Sequence, residues 1–92
     1  MTRIVLTAQV ENTKSWEQQF QTHADMFREV GLAKAYDYSI GKDSNVAVSV
    51  EVNDVDAFIR VLESPENIAA MENDGVKRDS VQVFVLDKSL KL

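Results

Sequence analysis

His23 is the only histidine of the chain and the side chain best suited to carry a proton. An unperturbed imidazole has a pKa of about 6.5, so it changes charge close to physiological pH. At about 100° per residue, His23 falls inside the apolar stripe of a predicted helix, between Phe27 and Val30. One interpretation is a buried histidine that bonds a tyrosine or a backbone carbonyl, because buried polar groups are normally satisfied. The other is a group that faces a ligand, either as a proton carrier or as an axial haem ligand.

Aromatic side chains form the second set of candidates. Tyr36 and Tyr38 are two residues apart in a predicted strand, so both hydroxyls share one face and are predicted to reach one cavity. Such hydroxyls can orient a quinone or a polyphenol, and they serve equally well where two subunits meet. The other aromatic candidates are either core residues or a platform for a flat ligand: Trp16, Phe20, Phe27 and Phe58.

Four segments alternate between apolar and other residues and are predicted strands. They span residues 3–10, 32–40, 46–52 and 81–86. Lys34 interrupts the alternation of the second segment, whereas the third carries valines at strict period two. Residues 41–45 contain Gly, Asp, Ser and Asn and predict a hairpin loop between the second and third strands.

Apolar residues at helical spacing predict a first helix that ends at Gly31. Its cap is either Ser15, which begins a capping box, or a residue one turn earlier, Asn12 or Thr13. The pattern therefore leaves the start of this helix open by about one turn.

A second helix is predicted to open within residues 53–56, where Asn can cap and carboxylates suit the helix dipole. Ser64 and Pro65 then start a short further helix, because Ser is a good cap and Pro is tolerated at the first helical position. That helix is predicted to stop at residues 73–75, which read Asn-Asp-Gly.

The order β-α-β-β-α-β predicts a single domain over residues 1–92. Right-handed crossovers then give an α+β fold of the ferredoxin-like type, a four-stranded antiparallel sheet with both helices on one face. On the other face, Ala47 and Ser49 lie opposite the valines, and the last strand is apolar on both sides. A sheet face in water would carry more charge than this. The sequence therefore predicts a homodimer in which a second copy covers the open face.

Composition excludes several classes of function. The chain has 92 residues, no cysteine and a net charge of −5. The lack of cysteine excludes disulfide frameworks, zinc–thiolate sites and thiol nucleophiles. The acidic balance disfavours nucleic acid, whose binding depends on Lys and Arg against phosphates. No stretch approaches the roughly 18 apolar residues of a membrane span, so we expect no membrane partner and a cytoplasmic location.

Acidic residues are concentrated in segment 51–79, which holds eight acids against three bases. A solvated surface is the ordinary explanation, and a protein-interaction module for basic partners is the alternative. The helix dipole accounts for Asp54 and Asp56 without a metal ion. The sequence shows no glycine-rich nucleotide loop, Ser-His-Asp triad or His/carboxylate cluster, so we predict neither a metal nor a cofactor.

The complete pattern resembles the dimeric α/β-barrel superfamily, in which two ferredoxin-like chains pack sheet to sheet and close a shared barrel. The resemblance covers nearly the full chain and is strongest to short single-domain members. It rests on the aromatic helix Trp16-Glu-Gln-Gln-Phe20-x-x-His23, the stop at Gly31, the hairpin into residues 46–52, the run Asn53-Asp-Val-Asp-Ala-Phe58, the restart Glu63-Ser-Pro-Glu66 and the ending at residues 71–76. An amino-acid-sensing ACT-like module has the same order of elements, although it usually carries a glycine where residues 11–14 have none.

The resemblance implies a pocket between the first helix and the sheet for a small apolar or aromatic molecule. Its candidate ligand-binding residues are His23, Tyr36, Tyr38, Trp16, Phe20, Phe27 and Phe58. Relatives include antibiotic-biosynthesis monooxygenases, so the alternative is a cofactor-independent monooxygenase or isomerase acting on a small aromatic or polyketide-like substrate. Haem-degrading relatives place a histidine on the second helix; this chain has none there, and their chemistry does not carry over.

Overall fold

The computed structural model describes residues 2–29 and 33–91, and the side chains of residues 2–22 and 35–91. Its main elements are strand β1 (Thr2–Gln9), helix α1 (Thr13–Glu29), strands β2 (Ala33–Ile40) and β3 (Asn45–Val52), helices α2 (Val55–Leu62) and α3 (Pro65–Asn73), and strand β4 (Gln82–Leu86). Single 3₁₀ turns precede β3 and β4.

The four strands form one sheet in the order β2-β3-β1-β4, and every neighbouring pair is antiparallel. Strands β1 and β3 pair along their whole length in the centre, from Thr2 opposite Val52 to Gln9 opposite Asn45. Both pairs of parallel strands, β1 with β2 and β3 with β4, are therefore separated by another strand and connected through helices. This is the predicted ferredoxin-like α+β fold.

The valines of β3 and the even-numbered residues of β1 make the face of the sheet that the helices cover. Ile4, Val50 and Val52 pack with Phe58 and Leu62 of α2 in one buried cluster. A second cluster joins three more valines to the first helix: Val10, Val46 and Val48 with Trp16. Fully burying a side chain such as Phe58 is worth about 1.5–3 kcal/mol, so these two clusters attach the helices to the sheet.

Helix α1 begins one turn earlier than a Ser15 cap would place it. The Ser15 N–H donates to Asn12 Oδ1 over 3.0 Å, so Asn12 is the residue that caps the helix. Of the alternatives open from the sequence, the earlier cap is the one used. The predicted stop at Gly31 lies outside the described residues.

Strand β2 contains an irregularity at the place where the sequence alternation fails. Ala33 pairs with Val52 but Tyr36 pairs with Val50, so β2 has one more residue than β3 over this stretch. An extra residue in one strand is a β-bulge, which shifts the phase of the alternation. The bulge explains why Lys34 interrupts an otherwise regular pattern.

Helix α3 is a complete short helix, and both of its predicted end signals are confirmed. Ser64 Oγ accepts from the Asn67 N–H over 3.3 Å, with Pro65 at the first helical position. At the other end Gly75 has φ of +81°, a left-handed conformation that a residue with a Cβ adopts at a cost. The turn lets Gly75 O accept from the Glu11 N–H over 2.9 Å, which ties the end of α3 to the end of β1.

The face of the sheet away from the helices combines apolar residues with an ion-pair cluster. Val5 pairs with Phe84, and Phe84 and Leu86 are about half exposed, 47% and 51%. Arg3 lies in the same layer, where it binds Glu51 over 2.7 Å and comes within 3.8 Å of Asp37. We refer to these residues as the open face. None of the described helices is both long and apolar enough to cross a membrane.

Helix α2 provides a test of the capping argument. Asp54→Ala removes the carboxylate that accepts from the Ala57 N–H over 3.0 Å, and should lower the free energy of unfolding in urea by about 1 kcal/mol. Asp56→Ala is the matched control, because Asp56 is the acid inside the same first turn. It should lose only a helix-dipole interaction of about 0.3–0.5 kcal/mol. Equal losses in the two variants would contradict the assignment of Asp54 as the cap.

Candidate ligand-binding site

A cavity of about 110 Å³ lies between the sheet and the helices. Its lining is almost entirely apolar, and it draws on all three described helices as well as the sheet. The described residues that line it are Leu6, Thr7, Ala8, Tyr36, Val46 and Val48 from the sheet, and Trp16, Phe20, Phe58, Leu62, Asn67, Met71, Val76 and Val81 from the helices and the segment after them.

The cavity exists because small side chains of the sheet face large rings of the helices. Ala8 and Val46 pair with each other across β1 and β3, and neither reaches far from the sheet. Opposite them, Trp16 and Phe20 stack on each other with centroids 5.0 Å apart and planes 13° apart. Protein interiors are normally packed without such gaps. A cavity of this size therefore requires either a bound ligand or a structural cause for the missing packing.

The two tyrosines of β2 complete an aromatic cluster around this stack. Phe20 meets Tyr36 edge to face at 5.9 Å and Tyr38 at 5.4 Å, and Trp16 meets Tyr38 at 5.8 Å. Edge-to-face contacts of this kind stabilise a pair of rings by about 0.5–1.5 kcal/mol beyond burial. The rings therefore hold α1 against β2 in a defined orientation.

Tyr38 is held to α1 by its hydroxyl as well as by its ring. The hydroxyl donates to Glu17 Oε2 over 2.6 Å and accepts from Gln21 Nε2 over 3.3 Å. The hydrogen bond to the Glu17 carboxylate raises the pKa of Tyr38, because a donor that serves an anion is harder to ionise. The hydrogen bond from Gln21 acts in the opposite direction and is the weaker influence.

Asn67 is the polar side chain that the sequence analysis missed. It is buried, at 5% exposure, and lines the cavity from the first turn of α3. Its Nδ2 donates to Leu62 O over 2.8 Å, across the turn between α2 and α3. The sequence contained a signal for this position. Asn67 and the apolar Met71 are four residues apart, so they share one face of the helix.

Four of the predicted candidates come together around the cavity: Trp16, Phe20, Tyr36 and Phe58. Tyr38 contacts the rings of Trp16 and Phe20 but is not part of the lining. Its hydroxyl instead donates a hydrogen bond to Glu17 of α1. The side chains of His23 and Phe27 lie outside the described residues, so their predicted roles stay predictions.

The described lining contains one titratable side chain, Tyr36. Across the described part of the chain, no three His, Asp or Glu side chains are grouped as metal ligands would be. Several acids of segment 51–79 instead have partners within the fold. Glu51 binds Arg3, Glu72 lies 3.5 Å from Arg78, and Asp54 caps α2.

No protein-family model matches the sequence, and no curated protein matches it either. Solved structures do match. SnoaB, a cofactor-independent oxygenase from Streptomyces nogalater, superposes with a TM-score of 0.73 at 17% identity, over 99% of this chain and 95% of SnoaB.

The chain shares the ferredoxin-like fold of these solved structures. A structure described as an antibiotic biosynthesis monooxygenase matches with a TM-score of 0.72 at 14% identity, over 98% of this chain and all of the other. A Deinococcus radiodurans protein provisionally assigned the same name matches with a TM-score of 0.71 at 12% identity, over 100% of this chain and 96% of its own. The fold predicted from the sequence is thus confirmed, and a shared fold does not establish a shared activity.

The hydrogen bond between Tyr38 and Glu17 predicts a specific titration behaviour. Glu17→Gln should lower the pKa of Tyr38 toward its ordinary value of 10.0, because the neutral phenol then loses its anionic acceptor. Since the pKa is raised in the fold, this bond stabilises the protein at neutral pH and is lost as pH rises through the folded pKa. The titration is followed by NMR of ¹³C-labelled tyrosine.

Glu11→Gln is the control for that titration. It removes the same charge near the start of α1, where Glu11 contacts Gly75 and not Tyr38. An equal fall in the Tyr38 pKa in both variants would mean that net charge, and not the hydrogen bond, sets the shift.

Proposed function

We propose that the protein binds a small aromatic molecule in the cavity between α1, α3 and the sheet. The observation that carries this proposal is the cavity itself, apolar over most of its lining and walled by aromatic rings. Ligand sites typically combine such a lining with a few polar groups, here the Asn67 side chain.

The cavity has room inside it for about one aromatic ring. The cavity volume of about 110 Å³ is close to that of an engineered apolar cavity of about 150 Å³ that binds benzene. Pockets for drug-sized ligands are larger, at about 300–1,000 Å³. The small aromatic ligand is therefore favoured over the polyketide-like one.

A second candidate function is cofactor-independent oxygenation of that ligand. It is favoured by the described activity of SnoaB, which shares the monooxygenase fold. Without a cofactor the substrate has to supply the electrons: a ring CH₂ and O₂ become a carbonyl and water. Tyr36 is the one titratable side chain in the described part of the lining, and its hydroxyl is buried.

The open face supports the proposal that two copies pack sheet to sheet. Phe84 and Leu86 expose apolar surface there, beside Arg3 with its partners Glu51 and Asp37. A two-fold interface presents the same patch on both copies, so it must be complementary to itself. A patch with apolar residues and both signs of charge meets that requirement.

An interaction module for basic partners gains no comparable support, and it stays a prediction together with the cytoplasmic location.

Cavity filling tests the ligand proposal. Ala8→Leu adds three carbon atoms inside the lining and should abolish binding of a one-ring ligand while leaving the fold intact, because the new side chain occupies the ligand's space. Toluene is the probe, and fluorescence of Trp16, the only tryptophan, reports binding. Toluene should also raise the Tm of the wild type by mass action.

Ala69→Leu is the matched control, since Ala69 is exposed on α3 and makes no part of the lining. It should bind toluene as the wild type does. Unchanged binding of toluene by the Ala8→Leu variant would show that the ligand binds outside this cavity. Oxygen uptake by the wild type with bound hydroquinone, whose keto tautomer carries the ring CH₂ that the reaction needs, would separate an oxygenase from a binding protein.

Phe84→Glu tests the dimer. Light scattering after size exclusion should give twice the chain mass of 10.4 kDa for the wild type and the chain mass for this variant, since a carboxylate at a buried interface is costly. Ala69→Glu, which adds the same charge on the exposed side of α3, should leave the dimer intact. A monomeric wild type would refute the proposal.

A further inference from the structure

The carboxamide of Asn67 is the least expected group in the cavity. It is the one buried polar side chain of α3, at 5% exposure, in a lining that is otherwise apolar on that side. Asparagine is seldom buried to this degree without hydrogen bonds that account for it. The hydrogen bonds that Asn67 makes therefore bear on what the cavity accepts.

The orientation of the carboxamide is determined by its neighbour. Nδ2 donates to Leu62 O over 2.8 Å, and a carbonyl oxygen can only accept. The NH₂ group must therefore face Leu62, and Oδ1 lies on the other side of the carboxamide. The backbone N–H of Asn67 is bound separately, to Ser64 Oγ. Within the described part of the chain, Oδ1 accepts no hydrogen bond.

We propose that Asn67 Oδ1 accepts a hydrogen bond from the ligand, an inference that rests on the proposed function. The ligand is then a single aromatic ring with one hydroxyl or N–H donor. Asn67 Oδ1 is not among the fully buried unpaired atoms, so water can reach it in the free protein. A ligand that displaces this water without supplying a donor leaves the acceptor unpaired, so a ligand with a donor is preferred over one of equal size without it. Carbonyl oxygens of the ligand gain nothing at this position, because two acceptors face each other there.

The other polar groups of the lining do not impose this preference. Thr7 is on the strand face opposite the helices, where it pairs with Ala47. The Tyr36 hydroxyl is buried and can act as a donor or as an acceptor, so it does not by itself select a ligand that carries a donor. An acceptor with a fixed orientation, as at Asn67, is what discriminates, since it favours a ligand with a donor over one of similar size without it.

The test compares phenol with toluene and anisole in the wild type, by chemical-shift titration of backbone amides in α3 and β3. Transfer from water to an apolar site favours toluene, because phenol must lose its hydration. We expect the wild type to bind phenol at least as tightly as toluene and at least tenfold more tightly than anisole, which has the oxygen but no donor. Asn67→Leu should bind toluene and lose tenfold or more of its affinity for phenol.

Met71→Leu is the matched control, one turn along the same face of α3 and part of the same lining. It should keep the preference for phenol. The ligand comparison in the wild type stands alone if Asn67→Leu does not fold. Binding of toluene in preference to phenol by the wild type would overturn this inference and leave the proposed function intact. Failure of all three ligands to bind would overturn both.

Discussion

Pairing of β1 with β3 along their full length is the interaction on which the rest of the structure depends. It aligns Ile4, Leu6 and Ala8 with Val50, Val48 and Val46, so one face of the sheet becomes a continuous apolar surface. That surface must be buried, and the crossover connections bring the helices to the same side to bury it. The same pairing places Arg3 beside Glu51 on the opposite face. Both the cavity and the open face follow from this one register.

The helices cover the apolar face unevenly. Helix α2 packs Phe58 and Leu62 with Ile4 and Val50 in one buried cluster at one end of the sheet, and both of these α2 side chains also border the cavity. At the other end Trp16 and Phe20 stack on each other above short side chains, and a cavity remains. A ring stack is rigid and cannot collapse into the gap as flexible aliphatic side chains do. The aromatic residues that stabilise α1 on the sheet are thus the same ones that keep the cavity open.

Two polar contacts give the cavity walls a defined geometry. The Tyr38 hydroxyl bonds Glu17 and so joins β2 to α1, and the Asn67 carboxamide bonds Leu62 O and so joins α3 to α2. Neither contact is a large contribution to stability, since a hydrogen bond within the protein replaces hydrogen bonds to water. Their effect is on position, because each holds an aromatic or polar group at the edge of the space where a ligand would lie. The proposed binding site is therefore built mostly from packing, with few polar groups.

Local sequence signals determined the elements and their order. Period-two valines, the Ser64-Pro65 start and the Asn-Asp-Gly stop depend on residues within a few positions, and each was read correctly. The cap at Asn12 and the bulge in β2 were only hinted at, since several nearby residues can cap and a bulge depends on the partner strand. Tertiary structure alone decided that Tyr36 lines the cavity while Tyr38 bonds Glu17, although both share one strand face. It also brought Asn67 from a distant helix against Trp16 and Val48 in one lining, a proximity that spacing along the chain does not encode.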